Sequence, residues 1–125
     1  MSKAKVLAVG LRPSVVDFSK WPSLSAEKIE QASVELSSKL ADMGYTAKIC
    51  LTDTGETASE QLSAELESFS PDVVLIGAGV RADEDQLLLL ERMINLIHEQ
   101  CPQCKIAFNT SPDDSVEAVQ RWVKA

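Results

Sequence analysis

Two short segments of the chain carry glycine and arginine directly after apolar runs. They are residues 10–14, which read Gly-Leu-Arg-Pro-Ser, and residues 77–81, which read Gly-Ala-Gly-Val-Arg. Guanidinium groups suit carboxylate or phosphate, so Arg12 and Arg81 predict a local positive site for a small anionic ligand. Glycine lets a ligand approach the backbone closely. The glycines predicted to give this access are Gly10, Gly77 and Gly79.

A third polar segment, residues 109–113, reads Asn-Thr-Ser-Pro-Asp. We expect Asn109 and Thr110 to orient the ligand beside the two arginines. If the site is catalytic, Asp17 and Asp113 are the candidates for its general acid or base. Because no histidine or cysteine is placed to act with Asp17, a Ser-His-Asp triad is not predicted.

Simpler structural roles explain the same residues and stay open as alternatives. Glycine after a strand often meets only the requirement of a turn. Arg12 and Arg81 could each pair with a nearby acid, and Asp17 and Asp83 are available. Ser111 is explained as a helix N-cap.

Residues 77–82 match the dinucleotide-binding pattern G-x-G-x-x-A, but their context argues against that function. Only one strand–helix unit follows them, and the last strand ends in Asn109 where an acid for the ribose is expected. Acids at residues 83–85 crowd the helix start that would receive the pyrophosphate. Neither NAD, FAD nor any other cofactor is predicted.

The spacing His98-x-x-Cys101-x-x-Cys104 invites zinc or redox chemistry. A structural zinc would need a fourth ligand, and no second pair of this kind supplies it. The cysteines also follow a helix C-terminus, where the helix dipole opposes a thiolate. No metal site is predicted, and Cys50 is expected in the core.

The elements that must position these residues alternate between strand and helix patterns four times. The predicted strands are residues 5–11, 46–51, 73–76 and 105–109, and the predicted helices run from about 25 to 43, 57 to 70, 83 to 100 and 111 to 123. The spacing from Thr57 to Glu60 predicts a capping box at the start of the second helix.

This alternation is typical of an α/β three-layer sandwich with a parallel sheet. We predict one domain, residues 1–125, with a four-stranded sheet in the order 2-1-3-4 and a flavodoxin-like or Rossmann-like layout. Ligands of such sheets bind beyond the carboxyl ends of the strands, where the strand order reverses. That point lies between strands one and three, so the two glycine–arginine segments are expected to meet there.

Two further segments have more apolar surface or more length than the sheet requires. The connection from Arg12 to Leu24 is long, and its Phe18 and Trp21 could cover a ligand or simply hold the loop in place. The third predicted helix is apolar around about half its circumference. We predict a homodimer through its face that contains Leu87, Leu90 and Ile94, unless neighbouring helices cover that face.

Composition limits the possible functions. The chain has 125 residues and a net charge of −7, which disfavours nucleic-acid binding. It has no apolar run long enough for a membrane span and no signal-peptide pattern, so a cytoplasmic location is predicted. Three cysteines are an odd number and imply no disulfide framework.

The layout resembles receiver domains and flavodoxins, whose catalytic acids and phosphate-binding loop have no counterpart in this chain. Three segments resemble a family of small uncharacterised bacterial proteins: Val-Gly-Leu-x-Pro with Val-Asp-Phe, Ile-Gly-Ala-Gly-Val-Arg, and Asn-Thr-Ser-Pro-Asp-Asp with Ala-Val-Gln-Arg-Trp. This resemblance implies the fold and transfers no catalytic residue. Three hypotheses follow: a module that binds a small anion, an enzyme of unknown reaction in the same crevice, or a dimeric interaction protein.

Overall fold

A parallel sheet of four strands forms the centre of the protein, with helices on both faces. The computed structural model describes residues 3–125. The strands are β1 (Lys5–Leu11), β2 (Thr46–Thr52), β3 (Val73–Ile76) and β4 (Lys105–Phe108), and the helices are α1 (Ala26–Asp42), α2 (Glu56–Phe69), α3 (Ala78–Arg81), α4 (Leu87–Gln100) and α5 (Ser115–Gln120). The strand order is β2-β1-β3-β4. The predicted fold class and strand order are confirmed.

The carboxyl ends of β1 and β3 lie side by side, as the strand order requires. Val9 is opposite Ile76 in the parallel register, and the backbone N–H of Gly77 donates to the carbonyl of Val9 at 3.0 Å. All four residues of β3 are buried, because helices cover both faces of this central strand. The two glycine-containing segments therefore leave the sheet next to each other.

Side chains of successive strand residues point to opposite faces and build two apolar cores. Leu7 and Val9 of β1 pack with α2 and α4, whereas Val6 and Ala8 pack with α1 and α5. Leu40, near the end of α1, is fully buried in the second core. The sheet and the second half of α1 are thus tightly packed.

The start of α2 differs from the sequence prediction. The helix begins at Glu56 after the N-cap Gly55, so the predicted capping box from Thr57 to Glu60 is wrong. The carboxylate of Asp53 accepts the backbone N–H of Gly55 at 3.0 Å and the hydroxyl hydrogen of Thr57. Because Asp53 supplies these contacts from outside the helix, Thr57 lies inside the first turn instead of capping it.

The segment after β3 also contains more structure than predicted. The short helix α3 follows Gly77 directly, and a 3₁₀ turn over Glu84–Gln86 precedes α4. Asp83 caps this 3₁₀ turn by accepting the N–H of Asp85 at 3.0 Å. The long helix α4 therefore begins at Leu87, one turn later than its predicted start at residue 83. Within residues 3–125, no helix combines the length and apolar character that crossing a bilayer requires.

Candidate functional site

A cavity of about 600 Å³ lies at the carboxyl ends of β1 and β3. The sheet forms its floor, the first half of α1 forms one wall, and residues 12–24 form its cover. This volume lies within the usual range for small-molecule pockets. The position is also the point where the strand order reverses, which is where ligands of parallel sheets bind.

Three small residues contribute to the floor of the cavity, beside larger sheet residues such as Ile49, Leu51 and Leu75. Ala8, Gly10 and Gly77 line it, and they lie on the sheet face that packs against α1. A Cβ atom at Gly10 would be 3.6 Å from the side chain of Leu51, and one at Gly77 would be 3.5 Å from the carbonyl of Val9. These are ordinary contacts, so the backbone does not require glycine at either position. The glycines therefore contribute to the site mainly by leaving space.

Apolar side chains of α1 face this space. Ile29, Ala32 and Leu36 line the cavity and are only partly buried, whereas Leu40 on the same stripe is fully buried. The helix therefore packs on the sheet at its second half and leaves a gap at its first half. The long connection before α1 covers the gap with further apolar side chains. These are Val15, Val16, Trp21 and Leu24.

The cover is joined to the opposite rim by an ionic contact. Lys20 Nζ lies 3.0 Å from one carboxylate oxygen of Asp83 and also contacts the carboxylate of Asp85. Hydrogen bonds, the largest contribution from Asp85 and the next from Asp83, raise the pKa of Lys20 above its ordinary value. Lys20 therefore stays charged and ties residues 12–24 to the segment before α4.

Asp17, one of the two predicted acid–base candidates, lines the cavity within the cover. The hydroxyl of Ser19 and its backbone N–H, at 3.0 Å, both donate to the Asp17 carboxylate. These hydrogen bonds lower the pKa of Asp17. Asp17 is therefore a carboxylate at neutral pH. The other candidate, Asp113, is exposed and lies outside the cavity lining.

Both predicted anion-binding arginines lie outside the cavity lining. Arg12 Nη2 lies 3.4 Å from a carboxylate oxygen of Asp53, at the neighbouring end of β2. Arg81 Nε donates to the backbone carbonyl of Asn109 at 3.2 Å. This geometry does not bring the two guanidinium groups together in the cavity, and anion binding by Arg12 and Arg81 stays a prediction. The acid beside Arg12 is Asp53, and Asp83 instead pairs with Lys20.

Asn109 lines the cavity, but its side chain is already used within the protein. Its Oδ1 accepts the backbone N–H of Ala78 at 2.8 Å, and its Nδ2 donates to Ser115 Oγ at 2.9 Å. The side chain thus joins the end of β4 to α3 and to α5. Thr110 also lines the cavity, and its hydroxyl donates to Asp114 at 2.6 Å. That hydrogen bond is the largest cause of the lowered pKa of Asp114.

The structure therefore brings together part of the predicted site. The predicted residues that line one cavity are Gly10, Asp17, Gly77, Gly79, Asn109 and Thr110. Sequence reasoning missed the α1 wall and Lys20. The apolar stripe of α1 was a visible signal, but its spacing is the same whether it fills a core or lines a pocket.

The three cysteines lie away from this cavity. Burial raises the pKa of Cys50 to about 11 and is the largest cause of the rise in the pKa of Cys104 to about 12. Both thiols are therefore protonated at neutral pH. Within residues 3–125, no group of three or more His, Cys, Asp or Glu side chains is placed to hold a metal ion.

The chain matches no protein-family model and no curated protein sequence. The resemblance to the family of small bacterial proteins stays a prediction.

Proposed function

We propose that the protein binds a small organic molecule in the cavity between α1, the carboxyl ends of β1 and β3, and residues 12–24. The observation that carries this proposal is a cavity of about 600 Å³ at the reversal of strand order. Small residues on the floor and half-buried apolar residues on the wall support it, because a tightly packed core would fill such a space.

A substitution that fills the cavity tests this function. Ala32 lines the wall of the cavity, so Ala32→Trp is expected to occupy the ligand's space. We expect the affinity for the neutral fluorescent probe N-phenylnaphthylamine to fall at least about tenfold, a loss of about 1.4 kcal/mol. The measurement is a fluorescence titration, accompanied by a thermal melt to show that the variant is folded.

Val34→Trp is the matched control, because Val34 lies on the same helix but its side chain is 67% exposed. It should leave the probe affinity unchanged. If Ala32→Trp does not fold, Ala32→Leu gives a smaller change at the same position. Equal affinities for the wild type and a folded Ala32 variant would contradict the proposed function.

An interaction surface on α4 is a second candidate, favoured by two adjacent exposed leucines. Leu87 is 57% exposed and Leu88 is 59% exposed. Leu90 and Ile94, the other members of the predicted dimer face, are half-buried and pack against the core. We propose that a homodimer would form around the start of α4, where apolar surface is most exposed.

This candidate predicts a concentration-dependent mass in sedimentation experiments. Replacing both Leu87 and Leu88 with lysine should leave a monomer at every concentration, because the apolar surface would become charged. Trp122→Lys is the control, since Trp122 is 56% exposed at a different place. A wild-type protein that is monomeric at the highest soluble concentration would rule the homodimer out.

A further inference from the structure

We infer that the ligand of this cavity is a largely apolar molecule without a negative charge. The inference rests on the proposed function and specifies the chemical class that the site accepts.

Several polar side chains of the cavity lining already have partners within the protein. The bonds are those of Asn109 with Ala78 and Ser115, Thr110 with Asp114, Ser33 with the carbonyl of Ile29, and Lys28 with the carbonyl of Ser23. A polar ligand would have to break such bonds, and leaving a buried partner unsatisfied costs free energy. These groups therefore offer a polar ligand little net gain.

Charged side chains of both signs lie at the rim of the cavity. Three carboxylates line the cavity, from Asp17, Asp83 and Asp85, together with the ammonium groups of Lys20 and Lys28. Lys20 is already engaged by Asp83 and Asp85. An entering anion would thus meet three carboxylates and two ammonium groups, of which Lys20 is held by Asp83 and Asp85 and Lys28 donates to the carbonyl of Ser23. Like charges that meet in a partly desolvated site weaken binding.

The walls of the cavity can stabilise an apolar ligand by burial and dispersion. Ile29, Ala32 and Leu36 form one wall, and Trp21 and Leu24 approach from the cover. These side chains are partly buried without a ligand and would lose further contact with water when one is bound. The net charge of −7 adds a long-range term that disfavours anions.

Two fluorescent probes that share an anilinonaphthalene skeleton test this inference. N-Phenylnaphthylamine is neutral, and anilinonaphthalene sulfonate carries one negative charge on the same rings. Titrations use the Trp122→Phe protein, in which Trp21 is the one remaining tryptophan of two. Energy transfer from Trp21, which lines the cavity, then reports binding of the probe, and the Ala32 variant shows whether the probe lies in this cavity. We expect the neutral probe to bind at least about tenfold more tightly, as burial of an unpaired charge is costly.

The outcomes separate the inference from the function on which it rests. The variant combined with Trp122→Phe is Ala32→Leu, because it adds no second tryptophan. Tighter binding of the neutral probe that weakens with Ala32→Leu supports both. Equal or tighter binding of the sulfonate, still sensitive to Ala32→Leu, overturns the inference and leaves the ligand-binding function standing. Absence of energy transfer from Trp21 with both probes, or insensitivity to Ala32→Leu, overturns the function and the inference together.

Discussion

Replacing Asn109 with alanine is expected to lower the free energy of unfolding by about 2–4 kcal/mol, because two hydrogen-bond partners lose their bonds. A buried partner left unsatisfied costs about 1–3 kcal/mol, and the half-buried N–H of Ala78 lies at the low end of this range, about 1 kcal/mol. These partners are the backbone N–H of Ala78, at 2.8 Å, and the hydroxyl of Ser115, at 2.9 Å. Asn109 is 7% exposed and Ser115 is 2% exposed, so water cannot fully replace the lost bonds.

The size of this effect follows from where Asn109 lies. Its side chain joins three elements at one point: the end of β4, the start of α3 and the start of α5. Its backbone carbonyl accepts Arg81 Nε, and that bond is retained in the alanine variant. The substitution therefore removes side-chain contacts alone and leaves the backbone contact in place.

Urea denaturation of the wild type and the variant measures this change. Asn95→Ala is the matched control, because Asn95 is exposed on α4 and its side chain donates to the carbonyl of Glu91 within the same helix. It should change stability by less than about 0.5 kcal/mol. Ser115→Ala removes one of the two partners and should cost less than Asn109→Ala. If Asn109→Ala lowers the free energy of unfolding no more than Asn95→Ala does, the hydrogen bonds of the Asn109 side chain do not stabilise the fold as proposed.

The sheet order could be predicted from the sequence because buried strands and connections leave few alternatives. The run Val73–Ile76 is apolar throughout, which is typical of a strand covered on both faces, and the structure buries all four residues. Right-handed crossovers then restrict the possible strand orders. Helix starts were less predictable, because the cap of α2 depends on Asp53, a residue before the helix.

The site was only partly predictable, because local patterns do not determine where long side chains point. Gly10 and Gly77 follow from the strand ends, and both line the cavity. The direction of the Arg12 side chain depends on Asp53, which the sheet brings near from a distant part of the sequence. The cavity itself depends on the combined side-chain volume of sheet, helix and loop. No single segment of the sequence determines this combined volume, so the apolar stripe of α1 could not be distinguished from one that fills a core.

Reversing the charge of Lys20 is expected to open the cover of the cavity. In Lys20→Glu, three carboxylates would face one another where Lys20 now contacts Asp83 and Asp85. We expect the dissociation rate of N-phenylnaphthylamine to rise at least about tenfold, because like charges placed together cost free energy and push residues 12–24 away from the rim. Lys20→Met removes the attraction without adding repulsion and should give a smaller rise.

Stopped-flow displacement of the probe measures these rates, and salt gives an independent readout. Raising the ionic strength should speed dissociation from the wild type by screening the ion pair, and it should slow dissociation from Lys20→Glu by screening the repulsion. Lys39→Glu is a control with the same charge change on an exposed part of α1, outside the cavity lining. It should leave the rate unchanged.

Restoring one opposite charge provides the decisive comparison. Asp85 has a 73% exposed side chain, so Asp85→Lys changes charge at the rim with little effect on packing. Combining it with Lys20→Glu restores an ion pair between residues 20 and 85 with the charges reversed. The double variant should therefore release the probe more slowly than Lys20→Glu alone, at a rate close to that of the wild type. Asp83 is kept because its carboxylate also caps the 3₁₀ turn before α4. If the double variant releases the probe as fast as Lys20→Glu alone, the contact does not hold the cover, and the rate is controlled by packing of residues 12–24.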